Sequence, residues 1–103
     1  MATPEGKVKA TVRAILKERG AYFFFPVAGA LGSRNGVPDI ICCYRGWFIG
    51  IECKAGKNQP TGLQLAQLRA INDAGGIGIV INETNTDGVE GILDQIDAEL
   101  EGR

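Results

Sequence analysis

Asp39 and Glu52 are acidic residues inside two neighbouring apolar runs, and the spacing of the runs predicts that the two carboxylates meet. The runs cover residues 37–44 and 47–54, and the two-residue link between them is typical of a tight β-hairpin. If the residues that flank the link pair with each other, counting outward places Asp39 directly opposite Glu52. Opposed residues on antiparallel strands have Cβ atoms roughly 4.5–5.5 Å apart, so two carboxylates there repel unless a cation lies between them.

Lys54 joins these carboxylates, because alternate side chains of a strand share a face and Lys54 lies two residues after Glu52. Such oxygen ligands suit Mg²⁺ or Mn²⁺, which retain waters and accept further ligands from a phosphate. The predicted chemistry is hydrolysis of a phosphodiester with one or two metal ions, in which Lys54 positions the attacking water or offsets developing charge. A β-bulge near Gly50 would shift the register and separate the acids. The alternative is a strand-initiating Asp39 and a solvated strand face, although isolated acids in such apolar runs would be costly.

The composition excludes several other kinds of chemistry. The 103 residues include no histidine, which excludes Ser-His and Cys-His nucleophiles and any zinc site with histidine ligands. A net charge of -1 gives no general attraction to polyphosphate, so nucleic-acid binding would have to come from a local patch or a bound cation. The glycines of the segment 28–36 fit neither the P-loop nor the dinucleotide fingerprint, so we expect no nucleotide cofactor.

The cysteines and the length of the apolar stretches bear on the compartment in which the protein works. Cys42, Cys43 and Cys53 lack the spacing of metal ligands, and we expect buried reduced thiols. A redox or metal-storage protein is the alternative, but strand alternation points Cys42 and Cys43 to opposite faces. No stretch approaches the roughly 18 to 20 apolar residues of a membrane span, and the N-terminus lacks the layout of a signal peptide. We therefore expect a soluble intracellular protein that does not contact a membrane.

Helical and strand periodicities predict the element order αβββαβα in a single domain of residues 1–103. The strand that ends at Lys54, the following helix and the next strand form a β-α-β unit, whose crossover favours parallel pairing. A mixed sheet with helices on its faces results. The predicted elements are a helix capped by Thr3 and ended by Gly20, a buried strand Tyr22–Val27, a mobile loop Ala28–Gly36, the hairpin, a helix Thr61–Ala74, a buried strand Ile77–Asn82 and a terminal amphipathic helix from Val89.

The residues singled out above match a known signature. Pro38-Asp39 followed by Glu52-Cys53-Lys54 is the pattern of the PD-(D/E)xK nucleases. From about Glu5 to Asn82, the chain resembles the virus-type replication-repair nuclease (VRR-NUC) domain of that superfamily. The resemblance is carried by Gly36-Val37-Pro38-Asp39-Ile40, by Glu52-Cys53-Lys54, by Gln64 and by Gly75-Gly76.

This resemblance implies a fold, an activity and a setting. The implied fold is a restriction-endonuclease-like α/β domain, with an αβββαβ core, a mixed central sheet flanked by helices and an additional C-terminal helix. The implied activity is that of an Mg²⁺- or Mn²⁺-dependent endodeoxyribonuclease. Because standalone members of the family look like Holliday-junction resolvases, the expected substrate is branched DNA. The implied setting is the cytoplasm of a bacterial cell, with a phage gene as one source and viral replication or DNA repair as the process.

The resemblance also extends the candidate site by three residues. Glu5 matches an acid on the first helix of the family and would be a further metal ligand, although acids are favoured in a first helical turn by the helix dipole alone. Gln64 matches a glutamine that would orient the substrate or the attacking water. Thr61-Gly62-Leu63-Gln64 is equally a capping box, which gives Gln64 a purely structural alternative. The backbone carbonyl of Cys53 would be another metal ligand.

Three basic residues are candidates for phosphate contacts, because the glycine-rich loop and the link after Lys54 flank the predicted carboxylates. They are Arg34, Arg45 and Lys57, and for each the alternative is a solvated charge. So small a chain has little surface for gripping DNA beyond the catalytic core, so we expect a two-fold homodimer with two active sites. The alternative function is a non-catalytic nucleic-acid-binding module on the same fold, which an intact Asp39, Glu52 and Lys54 set disfavours.

Overall fold

The computed structural model describes residues 3–27 and 35–102, and these residues form the predicted order of elements. Thr3 caps the first helix by accepting a hydrogen bond from the Gly6 amide, and Pro4 occupies the first helical position. No helix in the described ranges is long and apolar enough to cross a bilayer. The elements are α1 (Pro4–Glu18), β1 (Tyr22–Phe24), β2 (Ile40–Tyr44), β3 (Trp47–Cys53), α2 (Gly62–Asp73), β4 (Ile77–Ile81) and α3 (Asp87–Glu101).

The four strands form one mixed sheet in the order β1-β2-β3-β4. The first three strands are antiparallel to their neighbours, whereas β3 and β4 run parallel and are joined through α2. The prediction of a β-α-β unit in a mixed α/β sheet is therefore confirmed.

One face of the sheet is covered by α1 and α3, and the hydrophobic core lies between this face and the two helices. The helices contribute two stripes at helical spacing, Val8, Val12 and Leu16 from α1 and Val89, Leu93 and Ile96 from α3. The strands contribute alternate residues that are almost completely buried, namely Ile40, Cys42, Tyr44, Ile49, Ile51, Cys53 and Ile81.

Helix α2 packs against the opposite face, and glycines in the strands permit its close approach. A Cβ atom on Gly78 of β4 would lie 2.6 Å from the carbonyl oxygen of Leu68 in α2. A Cβ atom on Gly50 of β3 would lie 2.6 Å from the Ile71 side chain. The sheet edge at β4 is also tied to α2, because the Asn72 carboxamide accepts from the Gly78 amide and donates to its carbonyl. Glycine at these positions therefore sets the distance between α2 and the sheet.

Strand β1 is shorter and more exposed than the sequence predicted. The run Tyr22–Val27 was expected to form a buried strand, but pairing with β2 ends at Phe24. Only Phe23 packs against the core, while Tyr22 and Phe24 are 68% and 50% exposed on the face that α2 leaves open. An edge strand has one neighbour, and Pro26 lacks the amide needed to extend the pairing. Strand β4 lies at the other edge and was also predicted to be buried. It is half-buried, and only its last residue, Ile81, is fully buried.

Two further expectations are corrected or fall outside the described structure. Cys42 and Cys53 are buried free thiols as expected, but Cys43 is exposed, because it points to the open face of β2. Burial raises the pKa of the Cys42 thiol to about 12, which disfavours redox chemistry there. Of the predicted mobile loop, residues 28–34 lie outside the described residues, and Asn35 and Gly36 form a turn.

Candidate active site

The hairpin of β2 and β3 has the register that the sequence predicted. Tyr44 pairs with Trp47, and the pairing continues without a bulge through Gly50 to Ile40 opposite Ile51. Asp39 directly precedes Ile40 and Glu52 directly follows Ile51, so one further step of the same register brings the two acids together.

Asp39 is held at the start of β2 by contacts to both of its carboxylate oxygens. The backbone amide of Cys53 donates a hydrogen bond of 2.8 Å to Oδ2. The Lys9 ammonium on α1 lies 3.5 Å from Oδ1. The first contact ties Asp39 to the end of β3, and the second brings a helix residue that the sequence analysis did not select.

Glu52 is a buried acid with an incompletely satisfied carboxylate. Its side chain is 1% exposed, and its Oε2 lies 3.4 Å from the Lys54 ammonium. Its Oε1 is buried and accepts no hydrogen bond within the described part of the chain. Burial, and secondly the negative charge of Asp39, raise the pKa of Glu52 to about 7, whereas Lys54 acts in the opposite direction. A cation beside Oε1 would satisfy this oxygen and favour the ionised form.

Lys54 is positioned by the ends of two strands. Its backbone amide donates a hydrogen bond of 2.9 Å to the carbonyl of Ile81, and this bond extends the pairing of β3 with β4. The loop after it is fixed by Glu83, whose two carboxylate oxygens accept from the Gly56 amide at 2.9 and 3.2 Å. The backbone at Lys54 is therefore held on both sides, and the Lys54 side chain is only 13% exposed.

Glu5 lies near this pair without joining it. Together with Lys9 and Asn58 it lines an open cleft of about 520 Å³ between α1 and the loop after Lys54. Its charge is one of several that raise the pKa of Cys53, after burial and the charges of Asp39 and Glu52. Within residues 3–27 and 35–102, no group of three or more acidic or cysteine side chains has the arrangement of a metal site. The structure thus brings together two carboxylates, and Cys53 lies between Glu52 and Lys54 at the end of β3.

Gln64 makes the capping interaction that was the structural alternative. Its backbone amide donates a hydrogen bond of 3.2 Å to the Thr61 hydroxyl. Its side-chain oxygen accepts a hydrogen bond of 2.9 Å from the Thr61 amide. Both halves of the capping box are therefore present at the start of α2. A role for Gln64 toward a substrate stays a prediction.

The three basic candidates have different placements. Lys57 is exposed in the loop that follows Lys54, beside the cleft. Arg34 lies outside the described residues. Arg45 occupies the hairpin turn with a φ of 49°, at the far end of β2 and β3 from Asp39. Its guanidinium pairs with Asp97 of α3 at 2.9 Å, and Asp97 also accepts from Tyr44 and Arg19. Arg45 therefore joins α3 to the hairpin rather than flanking the carboxylates.

Sequence reasoning missed Lys9 and Glu83. Lys9 carried a signal, because it follows Glu5 by four residues and so projects from the same side of α1 one turn later. Glu83 carried none, since it lies in a turn-rich segment and reaches Gly56 only through the pairing of β3 with β4.

Comparisons with known proteins agree with this architecture. No family model matches the sequence, and no curated protein matches it. A solved structure described as "VRR_NUC domain" superposes with a TM-score of 0.70 and 20% identity, over 90% of this chain and 97% of that chain. Another, described as "VRR_NUC domain protein", has a TM-score of 0.59 and 20% identity, over 95% of this chain and 88% of that chain. The chain therefore has the VRR-NUC fold, as its motifs predicted.

Proposed function

We propose that this chain, as a single domain of residues 1–103, is a divalent-metal-dependent endonuclease that hydrolyses DNA phosphodiester bonds. The observation that carries the proposal is the buried carboxylate of Glu52, which lies across the hairpin from Asp39 and has one oxygen without a partner among the described residues. The VRR_NUC descriptions of the matched structures support a nuclease on this fold.

The donor set fits Mg²⁺ or Mn²⁺. These ions commonly use one or two carboxylates and complete their coordination with waters and phosphate oxygens, so two acids suffice. Asp39 and Glu52 would bind the ion, which would polarise a phosphoryl oxygen and lower the pKa of a bound water. Burying a carboxylate oxygen without a partner is costly, and the ion would remove that cost at Oε1 of Glu52. By resemblance, Glu5 and the Cys53 carbonyl are the further ligands in the proposal.

The other residues act on the substrate and on the attacking water. Lys54 lies 3.4 Å from Glu52 and is largely shielded from solvent, so its ammonium is available to position the water or to stabilise charge developing on the phosphate. Lys57, exposed in the adjacent loop, would contact a neighbouring phosphate. Gln64 would orient the substrate from the start of α2, and Arg34 would contact phosphate. The ion pair of Arg45 with Asp97 argues against assigning it to DNA.

Branched DNA as substrate and a homodimer as the active form complete the proposal. Exposed apolar side chains support self-association, because they form an open surface on the sheet face that α2 leaves uncovered. We call it the aromatic face, and it consists of Tyr22, Phe24, Cys43 and Phe48. Cys43 pairs with Tyr22 on one side and with Phe48 on the other, so three of these residues form one continuous row. The row contains no basic residue, so it suits a protein surface better than a DNA backbone.

Cleavage of labelled DNA tests the proposed function. The purified protein is incubated with a four-way junction or a matched linear duplex, in Mg²⁺, in Mn²⁺ or in EDTA. We expect cutting in either metal and none in EDTA, and we expect the junction to be cut faster than the duplex. Equal cutting of both DNAs would contradict the preference for branched DNA. Metal-dependent DNA binding with no cutting would favour the non-catalytic module instead.

A further inference from the structure

The Lys9 ammonium contacts Oδ1 of Asp39, whereas the backbone hydrogen bond is made to Oδ2. Oδ2 accepts the Cys53 amide at 2.8 Å, whereas Oδ1 faces the Lys9 ammonium at 3.5 Å. Oδ1 is thus the oxygen that has no backbone hydrogen bond within the described part of the chain, and a cation that binds Asp39 through Oδ1 meets the Lys9 ammonium there. The ammonium and the divalent ion compete for the same position.

The charge balance of the site leads to the same conclusion. When both acids are ionised, Asp39 and Glu52 are neutralised by one ammonium each, from Lys9 and Lys54. These four groups then have no net charge, and Glu5 in the adjoining cleft adds one negative charge. A divalent ion would place two positive charges beside the Lys9 ammonium, and like charges at such short range repel strongly. One ammonium has to withdraw for the ion to bind well.

Burial decides which of the two lysines withdraws. The Lys54 side chain is 13% exposed and continues directly from β3, so it has little room to move. The Lys9 side chain is 38% exposed and lines the open cleft that also contains Glu5 and Asn58. A flexible four-carbon stem at the rim of a cleft can swing into solvent at little cost.

We propose that Lys9 is the resident counter-ion of Asp39, that the divalent ion displaces it, and that the released ammonium then binds a DNA phosphate. The inference rests on the proposed function. Under this proposal, α1 contributes to DNA binding through Lys9, and only when the metal ion is bound. Lys9 is therefore a residue that exchanges partners, not a metal ligand and not a static support for Asp39.

In the absence of DNA, the direction in which one substitution changes the Mn²⁺ affinity separates these roles. Lys9→Met retains the stem and removes the charge, and we expect it to bind Mn²⁺ about two- to fivefold more tightly, the range that a half-exposed ion pair gives. Lys9→Arg retains the charge and should stay within about twofold of the wild type. Lys17→Met is the control, because it removes the same charge from α1 about 12 Å further along the helix. The affinities are measured by calorimetric titration of Mn²⁺ into the protein.

The titration distinguishes failure of the exchange from failure of the function. Weaker Mn²⁺ binding by Lys9→Met would mean that Lys9 supports Asp39, and unchanged binding would mean that the ion pair is incidental; either overturns the proposal. Absence of Mn²⁺ binding in every variant would contradict the proposed function itself, and the exchange with it.

The transfer to phosphate is read from the salt dependence of DNA binding. In Ca²⁺, which takes the same oxygen ligands, the slope of log affinity against log salt should be shallower by about one for Lys9→Met than for the wild type. In EDTA the two slopes should coincide, because Lys9 is then held by Asp39. Equal slopes in Ca²⁺, or a difference that persists in EDTA, would overturn the transfer.

Discussion

Glu52 links the folding stability of the protein to pH and to metal at the level of one carboxyl group. Its pKa is raised from 4.5 to about 7, chiefly by burial, so the folded chain binds the proton more tightly than the unfolded chain does. The contribution is fully present below pH 4.5 and is lost as the pH rises to about 7. Raised pKa values of this kind are common where an acid has a chemical task.

We expect the free energy of unfolding in EDTA to fall between pH 4.5 and pH 7.5, by on the order of 2–3 kcal/mol from this group. Denaturant titrations at several pH values measure it. Glu52→Gln carries no titratable group there and serves as the control, in which this part of the fall should disappear. Saturating Mn²⁺ should also restore stability at pH 7.5, since the ion favours the ionised carboxylate. A fall of the same size in Glu52→Gln would show that other groups cause it.

The residues of the site differed in how far the sequence could reveal them. Asp39, Glu52 and Lys54 could be placed from strand alternation and the length of the hairpin link, because both are local. Glu5 and Lys9 lie on α1, and their distance from Asp39 depends on how that helix crosses the sheet, which no local pattern encodes. The structural role of Gln64 was visible in the capping-box pattern before the structure was known.

At the level of elements, the packing of α2 on the sheet depends on the absence of side chains at particular positions. The carbonyl oxygen of Leu68 lies 2.6 Å from where a Cβ atom of Gly78 would stand. Backbone cannot move aside as a flexible side chain can, so the helix itself would have to shift. The start of α2 would move with it, and α2 begins at the loop that follows Lys54.

We expect Gly78→Ala to lower the free energy of unfolding by about 2 kcal/mol, because the added methyl group overpacks this contact. Gly91→Ala in α3 is the matched control, since a Cβ atom there would lie within 4 Å of no described residue other than its own neighbours in the helix. Alanine is the better helix former, so that variant should gain about 0.5–1 kcal/mol. Urea unfolding of the three proteins measures both changes, and a Gly78→Ala protein as stable as the wild type would contradict the packing argument.

The elements themselves were largely predictable, and the errors have physical reasons. The hairpin, the β-α-β unit and all three helices follow from periodicity and from strong start and stop residues such as Thr3 and Gly75. The run of aromatic residues from Tyr22 was predicted as a buried strand because it is apolar on both faces, and the sequence does not say which face is covered. Only the assembled sheet shows that β1 is an edge strand with one face open.

For the whole molecule, the aromatic face is an apolar surface that the three helices leave uncovered. Phe48, at one end of its row, is 47% exposed although it belongs to the interior strand β3. Exposed aromatic side chains in a continuous row are typical of interfaces, where they bury a large area at little entropic cost. Association through this face would give two candidate sites in one dimer, which is the arrangement proposed for cutting branched DNA.

We expect the wild-type protein to sediment as a dimer at micromolar concentration, and Phe48→Asp to sediment as a monomer, because the substitution places a charge in the apolar contact. Leu63→Asp is the control: Leu63 is 61% exposed but lies on α2, outside the aromatic face, and this variant should remain dimeric. Analytical ultracentrifugation measures all three. A wild-type monomer, or a Phe48→Asp dimer, would contradict the assignment of this surface.

The most direct test of the central claim is turnover of labelled DNA in Mn²⁺ by Lys54→Ala and by Lys57→Ala, with Mn²⁺ affinity measured on the same samples. Lys54 is assigned to the attacking water and the developing charge, so Lys54→Ala should lose at least about a thousandfold in rate while it still binds Mn²⁺. Lys57→Ala, which removes one proposed phosphate contact, should change turnover less than about tenfold. Turnover by Lys54→Ala equal to that of the wild type would contradict the account of Asp39, Glu52 and Lys54 as a catalytic centre.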